Sequence, residues 1–461
     1  MAACLGVVAV QLSPYTEHRA AAQDARTLGQ WSSVQQWPVV SVHSHLLPTG
    51  QVMFYPYSDD VHLWDPATGN IFRGPLAGYN LFCTGHSFLA DGRLLVTGGH
   101  ISNEVGLPNT SIYDPFSNTW TRLPEMNAGR WYPTNTTLAN GDVLVVSGTI
   151  DRTVWVNPLP QVWQVASGAW RDLVDAQTSL PLYPFMYLAP NGRVFNAGPN
   201  QASSYLDTAG TGAWTPVADS NFGLRDYGSS VLYDTGKVLI VGGGDPPTNT
   251  AEVIDLTGQP SWRQVSPMSI ARRHLNATLL PDGMVLVTGG TSGPGFNNAS
   301  TPVFATELWD PATDTWTTLA PAPNNQFRGY HSTALLLPDG RVLSSGGDEH
   351  PTAEIYSPPY LFNGARPAIT GAPARVGYGE AFAVNTPDAG SIELVTLLRL
   401  SSVTHAFNME QRIVRPAFST VAGGLSVIAP SDPNVAPPGY YMLFILNDKG
   451  VPSTARVVRI R

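Results

Sequence analysis

The residues with most to offer chemistry fall on one register. Seven turn glycines, Gly50, Gly92, Gly141, Gly192, Gly236, Gly283 and Gly340, recur along the chain, and counting nine residues back from each gives Ser41, Cys83, Tyr132, Tyr183, Tyr227, His274 and His331. Tyr330 stands directly before His331. One level of the repeat therefore gathers a thiol, phenols and two imidazoles. His331, His274, Tyr132 and Tyr330 together offer two nitrogen and two oxygen donors, a set that suits a tetragonal Cu(II) ion, whereas Zn(II) prefers a tetrahedron. Spacing alone does not choose between His274 and a histidine from elsewhere in the chain. Cys83 and Tyr132 belong to consecutive repeats, so their side chains can touch. That is an unusual place for a lone cysteine, which more often fills a core as a small apolar residue. Tyrosines and histidines that merely line a wet channel are the plain alternative.

The elements that must position these residues are short strands. Each unit runs as an apolar stretch, an Asp-Gly or Asn-Gly type turn, a second β-rich stretch often ending in Gly-Gly, and a third of the kind LWDPATGNIF, IYDPFSNTW or LWDPATDTW. The turn glycines are about 48 residues apart, which matches the roughly 50-residue, four-stranded blade of a kelch-type propeller. Innermost strands line the axis of such a ring, so one register becomes one level of the channel. The seventh unit, from HSTALLLPDGRVLSSGG to AEIYSPPY, lacks a Trp-bearing outer strand, and LGQWSSVQQWP near the N-terminus supplies one. The N-terminal strand should therefore close the ring, because an open ring leaves an unpaired edge. After Pro359 the repeat stops, and short alternating strands with Pro and Gly turns suit an immunoglobulin-like sandwich. The expected architecture is all-β: an N-terminal extension or signal remnant over 1–27, a seven-bladed kelch-type β-propeller over 28–362, and an immunoglobulin-like β-sandwich over 363–461.

Composition excludes several classes. With 44 Gly and 40 Pro among 461 residues, the chain is no coiled coil. A net charge of −9 and the lack of any basic run argue against nucleic acid or an anionic membrane as partner. No apolar stretch reaches the roughly 18–20 residues that span a bilayer. The two cysteines, Cys4 and Cys83, cannot make a disulfide framework. The apolar start MAACLGVVAV lacks a positive n-region. A monomer acting on small molecules is expected.

At the residues singled out above, the sequence resembles the galactose oxidase and glyoxal oxidase family of copper radical oxidases, in which a kelch propeller precedes an immunoglobulin-like domain. The matching segments are LFCTGHSFLADGRLLVTGG around Cys83, GRWYPTNTTLANGDVLVVSG around Tyr132, FRGYHSTALLLPDGRVLSSGG around Tyr330 and His331, and LLRLSSVTHAFNMEQR around His405. The likeness runs from about Trp31 to Arg461. It implies one copper ion with Tyr132, His331 and His405 as equatorial ligands and Tyr330 as the axial one. It also implies a protein-derived cofactor, a thioether joining Cys83 to Tyr132. His405 would reach the channel on a loop of the C-terminal domain, leaving His274 a supporting role. The implied reaction is oxidation of a primary alcohol or small aldehyde hydrate by O2, giving aldehyde or acid plus hydrogen peroxide. In it Tyr330 is the general base, and the Tyr132 radical and Cu(II) each store one oxidising equivalent. Secretion is implied as well, since the family acts where copper, O2 and peroxide are tolerable.

The match also departs from the family pattern. Galactose oxidase stacks a tryptophan over the thioether eighteen residues after the crosslinked tyrosine, and this chain has Ile150 there. Trp131 should point elsewhere if strand alternation holds. The stretch TSLPLYPFMYLAPNG carries Tyr183 and Tyr187 but no counterpart of the arginine that galactose oxidase offers its sugar. Together with RWYPT it looks more like the glyoxal oxidase branch and its bacterial relatives, so galactose is disfavoured and an alcohol, an aldehyde or a glycan end group stays open. The carbohydrate-binding module that precedes the propeller in galactose oxidase has no counterpart in the few residues before the first strand. His86 should line the channel wall or serve as a plain strand residue, and His100 and His350 should lie in loops. Asp348, Glu349 and His350 should form a solvated turn. Sequons at Asn135 and Asn276 fall on inner strands, with Asn109 and Asn298 more exposed. The alternative from another class is a copper-free kelch propeller that binds a glycan or protein.

Overall fold

The computed structural model describes residues 25–461. Cys4 and nearly all of the expected 1–27 extension lie outside the described residues. Seven antiparallel sheets follow one another along the chain. Their first strands are His43–Leu46, Thr84–Phe88, Trp131–Thr137, Met186–Leu188, Ser229–Asp234, Asn276–Leu279 and Ser332–Leu336. Five of the seven neighbouring pairs of first strands pack on one another around the axis. Sheets stacked face to face bury both faces of each inner strand, which is why Val143–Val146 and Leu94–Val96 read as unbroken apolar runs. The seventh sheet is completed by the N-terminal strand Gln30–Trp31, paired antiparallel with Thr352–Ser357 through Trp31↔Tyr356.

Two repeated side-chain devices hold the blades together. In the first, an outer-strand tryptophan donates its indole N–H to a carbonyl just past the outer strand of the preceding blade. Trp120 bonds Pro75 O at 3.0 Å, Trp170 bonds Pro124 O at 3.0 Å, Trp214 bonds Ala176 O at 2.8 Å and Trp316 bonds Ser266 O at 2.6 Å. Trp31 makes the same bond to Ala320 O at 3.0 Å, so the N-terminal strand is stapled like those four blades. In the second device a buried arginine bonds a carbonyl of the second strand or just past its end. Arg130 reaches Ser147 O, Arg225 reaches Gly242 O, Arg272 reaches Gly289 O and Arg328 reaches Gly346 O. Three of these also pair with a buried glutamate of the third strand: Arg225 with Glu252, Arg272 with Glu307, and Arg328 with Glu354.

The C-terminal region forms two sheets. One contains Ile392–Arg399, Gly439–Asn447 and Arg456–Ile460, and the other contains Ala381–Asn385, Phe418–Val421 and Gly424–Ile428. Val384, Val395, Leu425 and Leu443 close the core between them. A hairpin of Ser402–Thr404 and Phe407–Asn408 leaves this sandwich and adds to the first blade, with His43↔Thr404 and His45↔Ser402 in register. Its tip carries His405.

Removing one partner of a buried ion pair leaves an uncompensated charge, at a cost of about 3–5 kcal/mol. Glu307→Gln, which strands the fully buried Arg272, should therefore lower propeller stability by about that amount, read from the shift in the denaturant unfolding midpoint at unchanged slope.

Candidate metal centre

The register residues reach the axis through an unusual backbone. Cys83, Tyr132, Tyr183, Tyr227, His274 and His331 have φ of 67°, 69°, 45°, 52°, 58° and 63°, left-handed values that non-glycine residues rarely adopt. Each sits at the start of an inner strand and turns its side chain into the channel. Main-chain bonds link blade to blade at this level: Tyr132 N–H donates to Cys83 O at 2.9 Å, Tyr183 N–H to Tyr132 O at 2.9 Å, and His274 N–H to Tyr227 O at 2.8 Å. The buried arginines stand two or three residues upstream, at Arg130, Arg225, Arg272 and Arg328.

Four donor atoms converge at this level. The Tyr132 and Tyr330 hydroxyls are hydrogen-bonded to each other, and His405 Nε2 lies 2.8 Å from Tyr132 Oη. The His331 and His405 rings are 4.6 Å apart at 88°, and the Tyr330 ring is 3.7 Å from that of His331. The far side of each imidazole is tied down. His331 Nδ1 donates to Asp348 Oδ1 at 2.6 Å, and His405 Nδ1 bonds Thr404 Oγ1 at 2.6 Å. The Nε2 of His405 is thereby turned toward Tyr132, and that of His331 is buried with no hydrogen-bond partner. Burial lowers the pKa of both histidines and raises those of Tyr132, Tyr330 and Cys83, so the set is uncharged on its own. A divalent ion would reverse that logic by displacing the phenolic protons. No group of three or more His, Cys, Asp or Glu suited to a metal exists among the described residues. A metal here must use the phenols, and the two-nitrogen, two-oxygen set with its orphan imidazole nitrogen fits copper.

The comparisons with known proteins agree with this geometry. The family model described as Glyoxal oxidase N-terminus matches residues 63–210 and 245–360, and that of the Galactose oxidase-like, Early set domain matches 366–460. A galactose oxidase of Gibberella zeae is 32% identical over 94% of this chain and 71% of its own. An aldehyde oxidase GLOX of Vitis pseudoreticulata is 33% identical over 82% of each chain. Among solved structures, a novel fungal alcohol oxidase of the AA5 family in complex with copper superposes with a TM-score of 0.86 at 29% identity, covering 94% of this chain and 100% of that one. The chain belongs to the galactose oxidase and glyoxal oxidase family of copper radical oxidases. The copper-free binding propeller finds no support.

Within this copper radical oxidase fold, Trp131 corrects the sequence expectation. Its ring stacks on Tyr132 with centroids 3.7 Å apart and planes 6° from parallel. Strand alternation fails because the left-handed turn at Tyr132 brings successive side chains to the same side. An aromatic thus does cover the Tyr132 ring, and it comes from the adjacent residue rather than from position 150, which holds Ile150. Trp131 Nε1 donates to His100 Nδ1 at 3.1 Å, so His100 is a strand residue braced against the centre rather than a free loop residue. Asp348 is likewise no mere solvated turn, since it also accepts from Tyr57 Oη at 2.9 Å while holding His331. His350 does sit in a turn at intermediate exposure. His274 packs edge-on against the Tyr330 ring at 5.3 Å, but its Nε2 is bonded to Phe296 O at 2.5 Å. His86 is fully buried below the centre, against His43 and Ser402. Asn135 and Asn276 are buried as expected, but Asn109 is buried too. The sequence reading missed His43 and His45, whose alternation in SVHSHLL was the available signal. It also missed the arginine repeat, visible as Arg-x-Tyr or Arg-x-His at 130–132, 225–227 and 272–274.

A cavity of about 240 Å3 opens beside the four donors, walled by Tyr132, Tyr183, Phe185, Leu224, Tyr227 and His405, among others. Its polar side chains beyond the donors include Asn200 and Asp226, and no arginine lines it among the described residues.

Cys83 is completely buried against Tyr132 and Trp131, and burial raises its thiol pKa well above the usual value. In copper-free, uncrosslinked protein, a thiol reagent at pH 8 should leave the Cys83 peptide unlabelled until the chain is unfolded, as peptide mass analysis will show.

Proposed function

We propose that Tyr132, Tyr330, His331 and His405 hold the copper, that Cys83 is joined to Tyr132 by a thioether, and that the enzyme oxidises a small neutral primary alcohol or aldehyde hydrate with O2, forming hydrogen peroxide. The observation that carries this reading is the convergence of two phenols and two imidazoles beside a buried cysteine in contact with one of those phenols. Bound copper supplies one-electron redox chemistry, which the sulfur-substituted phenol of Tyr132 complements to make a two-electron oxidation.

The chain's own residues do the rest. Tyr330 Oη, hydrogen-bonded to Tyr132 Oη, would take the substrate hydroxyl proton. Tyr132 lines the cavity and would take the hydrogen from the adjacent carbon. Trp131 covers one face of the Tyr132 ring and Tyr183 stacks on it at 4.6 Å and 23°, so water is kept from the oxidisable ring. Asp348 fixes the tautomer and orientation of His331. The ring faces and apolar walls of the cavity, with few polar groups, suit a small uncharged substrate better than a sugar anchored by a guanidinium. Peroxide formation and the need for copper favour action outside the cytoplasm.

The deciding experiment is peptide mass analysis of copper-loaded, aerated protein. The Cys83 and Tyr132 peptides should travel as one species lighter by two hydrogens; separate peptides in fully copper-loaded protein would overturn the thioether reading. Asp348→Ala leaves His331 Nδ1–H without its acceptor, and copper affinity measured by competition with a chelator should fall about 10–100-fold.

A further inference from the structure

Cys83 is held in a way that its neighbours in the ring are not. The amides of Tyr132, Tyr183 and His274 each bond the carbonyl of the preceding ring residue. The Cys83 amide instead donates to a side chain, His43 Nε2, at 3.2 Å. That bond begins a run of buried groups: His43 Nδ1 is 3.1 Å from His86 Nε2, His86 Nδ1 is 2.6 Å from Ser402 Oγ, and Ser402 Oγ is 2.9 Å from His45 Nδ1. His43, His45, His86 and Ser402 are all completely buried.

The run has one direction. Burial keeps the three imidazoles neutral, lowering that of His86 to about 3. Because His43 Nε2 accepts from the Cys83 amide, its proton is on Nδ1 and is donated to His86. His86 must then carry its proton on Nδ1 and donate to Ser402, whose hydroxyl donates to His45 Nδ1. The run ends on His45 Nε2–H, a buried donor with no partner. Ser402 belongs to the hairpin that carries His405, and that hairpin is also tied to the propeller by Thr404 Oγ1 bonding Val42 O at 3.0 Å. The same hydrogen bonds therefore connect the backbone of Cys83 to the segment that delivers a candidate copper ligand from the other domain.

We propose that His43, backed by His86 and Ser402, is a positioning residue that sets Cys83 for closure of the thioether with Tyr132. This rests on the reading of Cys83 and Tyr132 as the crosslinking pair. In the closure a C–S bond forms as the Cys83 S–H and a Tyr132 ring C–H bond break, and the two electrons and two protons pass to O2 as hydrogen peroxide. Cys83 has a left-handed backbone that no neighbouring carbonyl anchors through its amide. The imidazole is what keeps its thiol facing the Tyr132 ring.

The test follows the fraction of joined Cys83 and Tyr132 peptides with time after copper is added, in air, to the full chain produced without copper. His43→Leu should slow closure about tenfold or more, because loss of alignment on this scale carries penalties of that order, while copper affinity stays near that of the unaltered protein. His43→Gln, which can accept from the amide and donate to His86, should restore closure to within about threefold on the same reasoning. His86→Leu provides a second interruption if His43→Leu does not fold, and should also slow closure. Closure of the leucine variants at the unaltered rate overturns the proposal, as does equal slowing by leucine and glutamine at position 43. If the unaltered protein itself never joins the peptides, the crosslinking reading fails, and this proposal with it.

Discussion

The centre depends on a backbone constraint: six non-glycine residues at the channel mouth are held with φ between 45° and 69°. Left-handed backbone costs an L-residue about 1–2 kcal/mol, so six in a ring persist only because the surroundings over-determine them. The blade-to-blade amide bonds at Tyr132, Tyr183 and His274, the bond from the Cys83 amide to His43 and the four buried arginines that grip second strands contribute to that over-determination. Without this turn the side chains of Cys83, Tyr132 and His331 would follow ordinary strand alternation, and the donors would not meet.

Burial then sets the electrostatics. Every donor at the centre is kept in its uncharged form by desolvation, and the carboxylate of Asp348 binds the outer nitrogen of His331 rather than facing inward. An uncharged cluster of phenols and imidazoles is tolerable when empty of charge and becomes favourable around a divalent ion. The same desolvation governs the histidines beneath it, where a protonated ring would break the one-way run of hydrogen bonds from Cys83. The C-terminal domain takes part in both layers through a single hairpin that contributes Ser402 below and His405 above.

Much of this was legible in the chain itself. The turn glycines located the ring level, and the missing outer strand of the last repeat pointed to the N-terminal Trp31, which makes the same staple as its counterparts. The donor set was partly legible: His331 and Tyr132 come from the register and Tyr330 stands beside it, whereas His405 required family resemblance, because nothing in a local pattern reveals that a hairpin from another domain will enter the axis. Trp131 was misread because alternation is a property of extended backbone, and Tyr132 is not extended. Asp348 was passed over because a carboxylate in a Gly-Gly-Asp turn ordinarily faces solvent, and only the fold puts His331 against it.

The sequence by itself determined the repeat, the closure of the ring and the kinds of donor available, because hydrophobic periodicity and turn chemistry are local. The tertiary structure alone decided which aromatic covers Tyr132, which carboxylate orients His331 and which imidazole holds the Cys83 amide. The last two join residues distant in sequence, and the first, between adjacent residues, arises because the left-handed backbone at Tyr132 breaks strand alternation, so none is written in a local pattern.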